Sequence, residues 1–158
     1  IFGQDDVMLT GGDITATVTP IAGLTITAKG EWIYARNLTQ DEWLPFMPSD
    51  RYGMSGTYNW KFGREGKYNA SVSLSGIYVT KQTHFDPDKD LVPDSPPAYA
   101  LLNGTAEWSM RLPGQRELKL MIIGDNMLNA LYKEYTDRFR YYAHARGSNV
   151  IFKTIVKF

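Results

Sequence analysis

Apolar and polar positions alternate along most of this chain with a period of two, the mark of β-strands with two unlike faces. The clearest run sets Tyr68, Ala70, Val72, Leu74, Gly76 and Tyr78 against Asn69, Ser71, Ser73 and Ser75. The C-terminus repeats it. Val150, Phe152, Thr154, Val156 and Phe158 form one row, and Asn149, Ile151, Lys153, Ile155 and Lys157 form the other. Further alternating runs cover 14–19, 24–36, 52–62, 98–112 and 117–124, so the pattern predicts seven strands and no amphipathic helix. Residues 1–10 are a candidate for the tail of an eighth strand.

The connections carry a second pattern. Tight links fall at 20–23, 63–66 and 113–116, long ones at 37–50, 84–97 and 125–147, and the two kinds alternate strictly. Short turns at one rim and long loops at the other are the up-and-down arrangement of an outer-membrane barrel. A soluble meander has no physical reason to sort its loops in this way. The tyrosines that bracket the apolar middle of 68–78 fit the same picture, because amphipathic rings settle at the two water–membrane interfaces. The expected fold is therefore all-β, an antiparallel up-and-down meander in the wall of a transmembrane β-barrel.

Composition narrows the functional classes. The 158 residues hold 17 Lys+Arg and 17 Asp+Glu. A chain of zero net charge lacks the basic footprint of a nucleic-acid binder. The absence of cysteine rules out disulfide staples and thiolate metal sites. Mean hydropathy is −0.33, and no run approaches the roughly 18 apolar residues of a transmembrane helix. Barrel strands show lipid only one face, so this modest value is compatible with them. The chain starts at Ile1 with no initiator Met and no signal peptide, which reads as a fragment of a longer polypeptide.

Three stretches resemble the C-terminal barrel portion of TonB-dependent outer-membrane receptors. Leu44-Pro45-Phe46-Met47-Pro48-Ser49-Asp50-Arg51 is similar to the family's Leu-Pro-aromatic-x-Pro-x-x-Arg segment ahead of a strand. Gly124-Asp125-Asn126-Met127-Leu128-Asn129-Ala130-Leu131-Tyr132 is similar to its Val-x-Asn-Leu-Phe-Asn-x-x-Tyr element, with Met127 and Leu128 in place of Leu-Phe. Arg146-Gly147-Ser148-Asn149 resembles the Gly-Arg-x-aromatic lead into the terminal strand, with Ser where Arg is common. The resemblance implies the last seven or so strands of a 22-stranded barrel. It also implies an upstream plug domain and a segment that engages an inner-membrane energy-coupling protein. The whole would sit in the outer membrane of a Gram-negative bacterium and import a scarce large nutrient: a ferric siderophore, a cobalamin or an oligosaccharide. Outer-membrane lipid would surround it, and Phe152, Val156 and Phe158 would form the terminal signal read by the barrel-assembly machinery. No cofactor and no nucleic acid are expected.

Candidate ligand contacts lie in the long loops: Trp43 and Phe46 in the first, and Arg138, Arg140, Tyr141, Tyr142 and Arg146 in the last. Arginines suit bidentate capture of carboxylate or phosphate, and aromatic rings suit stacking on a solute. The same residues also suit an aromatic girdle with arginines at head-group level. Asp86, Asp88 and Asp90 alternate as in a Ca²⁺ loop, but Leu91 and Pro97 stand where an EF-hand needs Gly and Glu. Neither His84 nor His144 has a nucleophile–base setting, so no enzyme is expected. Two alternatives compete with the receptor segment. One is a small eight-stranded outer-membrane barrel for anchoring or adhesion, the other a soluble β-sandwich binding module.

Overall fold

A computed structural model of the chain describes residues 5–114 and 116–158, with the backbone alone at residue 65. Its strands are β1 (Val7–Ile21), β2 (Leu24–Asn37), the two-residue β3 (Glu42–Trp43), β4 (Arg51–Phe62), β5 (Tyr68–Val79), β6 (Tyr99–Leu112), β7 (Arg116–Asp125) and β8 (Asn149–Lys157). They make one eight-stranded sheet in the order β1-β2-β4-β5-β6-β7-β8, with β3 hydrogen-bonded to β2. Every pairing is antiparallel, so the chain is an all-β meander.

Register keeps the two faces distinct across the sheet. Leu74 stands opposite Gly56 on β4 and Gly104 on β6, and Gly104 stands opposite Gly124 on β7. Val72 stands opposite Tyr58 and Ala106, Ala106 opposite Ile122, and Ile122 opposite Phe152. A one-residue slip at any pairing would exchange the faces, so the apolar row itself fixes the register. The other face is polar. Thr17 meets Thr27 at 3.0 Å and Thr57 meets Ser73 at 2.9 Å, hydroxyl to hydroxyl across adjacent strands. Nearer the short turns, Lys119 pairs with Glu107 at 2.7 Å and Lys157 with Glu117 at 3.2 Å.

Little of the sheet is buried by the chain itself. Ala35, Ala70, Val79 and Tyr135 are the buried apolar residues among those described, while Ile14, Met54, Leu74, Ile122 and Phe152 lie exposed along the apolar face. A contiguous exposed apolar surface of this kind marks contact with a membrane or another molecule.

Three sequence expectations are corrected. The first strand starts at Val7 rather than at residue 14, because Gly11 and Gly12 continue it instead of breaking it. A Cβ at Gly12 would meet the Trp32 ring and one at Gly11 the Trp32 carbonyl oxygen, so the glycines admit β2 at close range. Residues 7–10 are consequently the first four residues of β1, not the tail of an eighth strand, and residues 1–4 lie outside the described residues. The first long loop also carries β3, whose Trp43 and Glu42 pair with Arg36 and Asn37.

The short turns follow from local chemistry. Gly23 holds φ +86°, and a Cβ there would collide with the Asn59 carbonyl oxygen. The Gly23 carbonyl in turn accepts from the Asn59 amide at 2.8 Å, locking the β1–β2 turn against β4. Gly63, Gly66 and Gly114 supply positive φ at the other two tight links. Gln115 of the third lies outside the described residues.

Candidate functional site

The three long connections, 38–50, 80–98 and 126–148, fold onto one another at one rim of the sheet. The resembling stretches turn out to be their anchors. In the first, the Met47 and Pro48 carbonyls both accept from the buried Gln82 side chain, at 2.7 and 3.2 Å. Ser95 donates to the Gln82 carbonyl at 2.6 Å, so one glutamine binds the first loop to both ends of the second. In the second stretch, Asn126 and Asn129 hold φ +46° and +50°, which Asn tolerates better than most residues. The buried Asn126 amide donates to the Ala130 carbonyl at 2.9 Å and to the Arg146 carbonyl at 3.3 Å. Its oxygen accepts from the Ala130 amide at 2.9 Å. Asn129 accepts from the Ser148 amide at 3.0 Å. The two asparagines thus clip the start of the last loop to its end, where β8 begins.

Glu134 joins that loop to the polar face. One of its oxygens pairs with Arg51 at the start of β4, and the other accepts from the Tyr99 hydroxyl of β6 at 2.6 Å. Arg51 also borders a cleft of about 430 Å³ with Asp13, Glu31, Ile33 and Ser49. Replacing Glu134 with Ala should remove both contacts and loosen the loop by about 1.5–3 kcal/mol, the scale of hydrogen bonds to a charged group. Hydrogen exchange should then quicken across 126–148 while β4 and β6 stay protected. Equal protection in variant and parent would show that the carboxylate does not hold the loop.

The candidate residues separate into distinct environments. Arg140 and Asp90 form a buried ion pair, with side chains 3% and 6% exposed. The guanidinium carbon lies 4.5 Å from the centroids of both the Tyr135 and Tyr141 rings, a double cation–π seat. Tyr141 donates to the second Asp90 oxygen at 2.6 Å. Burial pushes the Asp90 carboxyl up, but the hydrogen bonds from Tyr141, the Val92 amide and Arg140, with the Arg140 charge, outweigh it and hold the group below the usual carboxylate value. Burial pushes the Tyr141 hydroxyl up, and its bond to Asp90 adds to the rise. Burial and then the Asp90 charge do the same at Tyr135. Arg140 and Tyr141 are thereby committed within the protein, whereas Tyr142 is 83% exposed and Arg146 meets Asp125 at 3.5 Å.

Arg138 stacks on Phe46, its guanidinium carbon 5.2 Å from the ring centroid, and Phe46 also faces Tyr135 at 6.4 Å. Trp43 meets the His84 ring edge-on at 4.7 Å and carries Arg36 over its face at 5.3 Å. The structure therefore brings Phe46, Arg138, Arg140 and Tyr141 together around Tyr135, sets the exposed Tyr142 edge-on to Tyr141 at 6.5 Å at the margin, and leaves Trp43 and Arg146 outside that cluster. The acidic loop does not gather. Asp86 accepts from the Asp88 amide at 3.2 Å and Asp90 is engaged by Arg140 and Tyr141. Among the described residues no three carboxylate or His groups converge as metal ligands. In the terminal strand, Phe152 and Val156 stand on the apolar face opposite Ile122 and Leu118, and Phe158 lies one residue past β8, almost wholly exposed.

Sequence reasoning missed Tyr135, Glu134 and Gln82, and considered His84 only as a candidate base and loop residue, not as the ring against Trp43. Tyr132-Lys133-Glu134-Tyr135 carries an aromatic–acidic pattern that would have marked a loop anchor, but nothing local names its partners.

No family model and no curated protein matches the chain. Among solved structures it is similar to the copper transporter OprC, with a TM-score of 0.72 and 18% sequence identity over 95% of this chain. The chain spans 23% of that protein's length. The likeness shows the fold: this antiparallel meander is built like a segment of a β-barrel wall.

Proposed function

We propose that this chain forms part of the wall and three outer loops of an energy-coupled importer of the TonB-dependent receptor type in a Gram-negative outer membrane. The observation that carries the reading is the unbroken apolar face running from β1 to β8 with all long loops at one rim. Lipid covers that face, since neighbouring strands satisfy one another's backbone groups and only side chains meet the bilayer, with the outer edges of β1 and β8 left to pair with the remaining strands of the barrel. The polar face, with Ser71, Ser73 and Ser75, lines the interior, where a plug domain sits among the remaining strands. Folded loops above it receive the solute. The cargo is a scarce nutrient too large for a passive pore, among ferric siderophores, cobalamins and oligosaccharides. The copper cargo of OprC extends that panel to a metal. An inner-membrane coupling protein supplies the energy through the plug. The barrel-assembly machinery reads the Phe152–Phe158 row during insertion. No catalytic step is assigned.

Uptake by intact cells tests this. A strain lacking the full-length protein should lose uptake of one member of a panel of labelled iron chelates, cobalamin, oligosaccharides and copper. Restoring the protein should restore uptake, and a protonophore should abolish it again. Restored uptake that persists undiminished under the protonophore would overturn energy coupling.

A further inference from the structure

We infer that the short-turn rim of the apolar face holds the phosphate of an anionic phospholipid, with Lys67 and Arg116 as its cations, an inference that rests on the lipid-facing wall proposed above. Charge is scarce on this face. Of the strand positions that share it with Leu74, two are charged: Arg36 at the long-loop rim and Arg116 at the short-turn rim. Neither Asp nor Glu occurs among them. Arg36 is already engaged, by Asp41 at 2.7 Å and over the Trp43 ring at 5.3 Å. Arg116 is exposed and has no carboxylate partner among the described residues. Lys67 joins it from the turn that precedes β5. The helical backbone of Lys67 (φ −56°, ψ −33°) breaks the strand period, and its amine lies 5.5 Å from the centroid of the Tyr68 ring. Tyr68 belongs to the apolar face and stacks on Phe62 at 5.3 Å and on Trp108 at 5.9 Å, so the amine stands beside a shelf of three rings. Lys67 is exposed and likewise has no carboxylate partner among the described residues. Its carbonyl accepts from the Arg111 amide at 3.0 Å, and the next residue, Leu112, stands opposite Arg116. Two strand spacings, roughly 10 Å, therefore separate the Lys67 and Arg116 backbones. Arg64 and Glu65 of the same turn bring formal charges that cancel.

Two unmatched cations at the end of an apolar, aromatic wall select the occupant. Tyrosine and tryptophan rings settle at the water–membrane interface, and Lys and Arg lay their stems on apolar surface with the charge at head-group depth. Short turns form the periplasmic rim of a barrel, so that depth belongs to the inner leaflet. The anion found there is a lipid phosphate, which arginine grips through two donors and lysine meets as a point charge. A headgroup of net negative charge gains from both cations, whereas a zwitterionic headgroup sets its own ammonium against them. Each cation close to an anionic lipid surface contributes roughly a fivefold preference.

Photolabelling of the full-length protein, refolded into phosphatidylethanolamine vesicles, tests the site. A minor fraction of the lipid is phosphatidylglycerol or phosphatidylethanolamine with a photoreactive group close to the glycerol, so that both headgroups stay native. A third probe carries the group in mid-chain. Adducts are mapped by mass spectrometry. Peptides covering 62–68 and 108–116 should take the phosphatidylglycerol probe roughly fivefold or more over its phosphatidylethanolamine counterpart. The Lys67→Gln, Arg116→Gln double variant should bring that ratio close to one. Equal labelling by the two headgroups in the parent, beside mid-chain labelling of the Tyr68–Tyr78 row, would overturn the phosphate site and leave the lipid-facing wall standing. A preference that survives in the double variant would overturn the site as well. Absence of mid-chain labelling along that row would overturn the wall itself.

Discussion

Arg140→Ala should free the last long loop from the middle one at about 3–5 kcal/mol, the scale for removing one member of a buried ion pair. The variant strands Asp90, whose side chain is 6% exposed, without its countercharge, and it empties the seat between Tyr135 and Tyr141. The loss is therefore mostly the penalty of an unpaired buried carboxylate, and its signature is recovery. Adding Asp90→Leu to Arg140→Met should restore much of the difference, since well-packed apolar pairs replace buried ion pairs at little loss. Hydrogen exchange across 80–98 and 126–148 reads both results. If the single and double variants open equally, the ion pair is not what joins the loops. The same latch depends on pH. Asp90 sits below the usual carboxylate value in the folded state, so its contribution is complete above about pH 4 and drains away as pH falls through the folded value. Tyr135 and Tyr141 sit above the usual phenol value, so theirs is complete below about pH 10 and is lost as pH rises further. Between those limits the loops should show flat protection.

The sheet was legible where side-chain period alone decides the outcome. Tyr68 to Tyr78 alternates without a break, and the strand runs over Tyr68–Val79 as read. Legibility failed at Gly11-Gly12, where glycine signals interruption locally but serves the close approach of Trp32 from the neighbouring strand. The loops were legible in part. Asn126 belongs to the stretch singled out by its resemblance to the receptor element, and the structure shows it at positive φ, bonding the Ala130 and Arg146 carbonyls. Arg138, Arg140 and Arg146 looked alike as one basic cluster. They differ because Asp90 and the two tyrosine rings bury Arg140, Phe46 shelters Arg138, and Arg146 stays at the surface. Asp90 lies 50 residues from Arg140 along the chain. Such partners are set by how loops meet in space, and no local pattern encodes them.

Leu74→Arg should destabilise the barrel by about 2–4 kcal/mol, and Ser73→Arg should be borne with little loss. Both residues are central on β5, one position apart, and differ only in the face they take. Leu74 is flanked by Gly56 and Gly104, so an arginine there has no neighbouring side chain to shelter its head and must reach toward the bilayer surface. Ser73 is flanked by Thr57 and Thr105, and its hydroxyl already meets Thr57 at 2.9 Å. An arginine there loses that hydrogen bond, on the order of 1 kcal/mol, and gains a wet interior for its charge. Denaturant titrations of the full-length protein refolded into vesicles measure both variants against the parent. The contrast separates the membrane wall from a soluble sheet, because a sandwich would bury the Leu74 face and leave Ser73 in water, yet would fold without lipid. A large loss at Leu74 that appears only in bilayers, beside a small loss at Ser73, is the outcome the two faces require. Equal losses at the two positions would reverse the assignment of faces on which the importer reading stands.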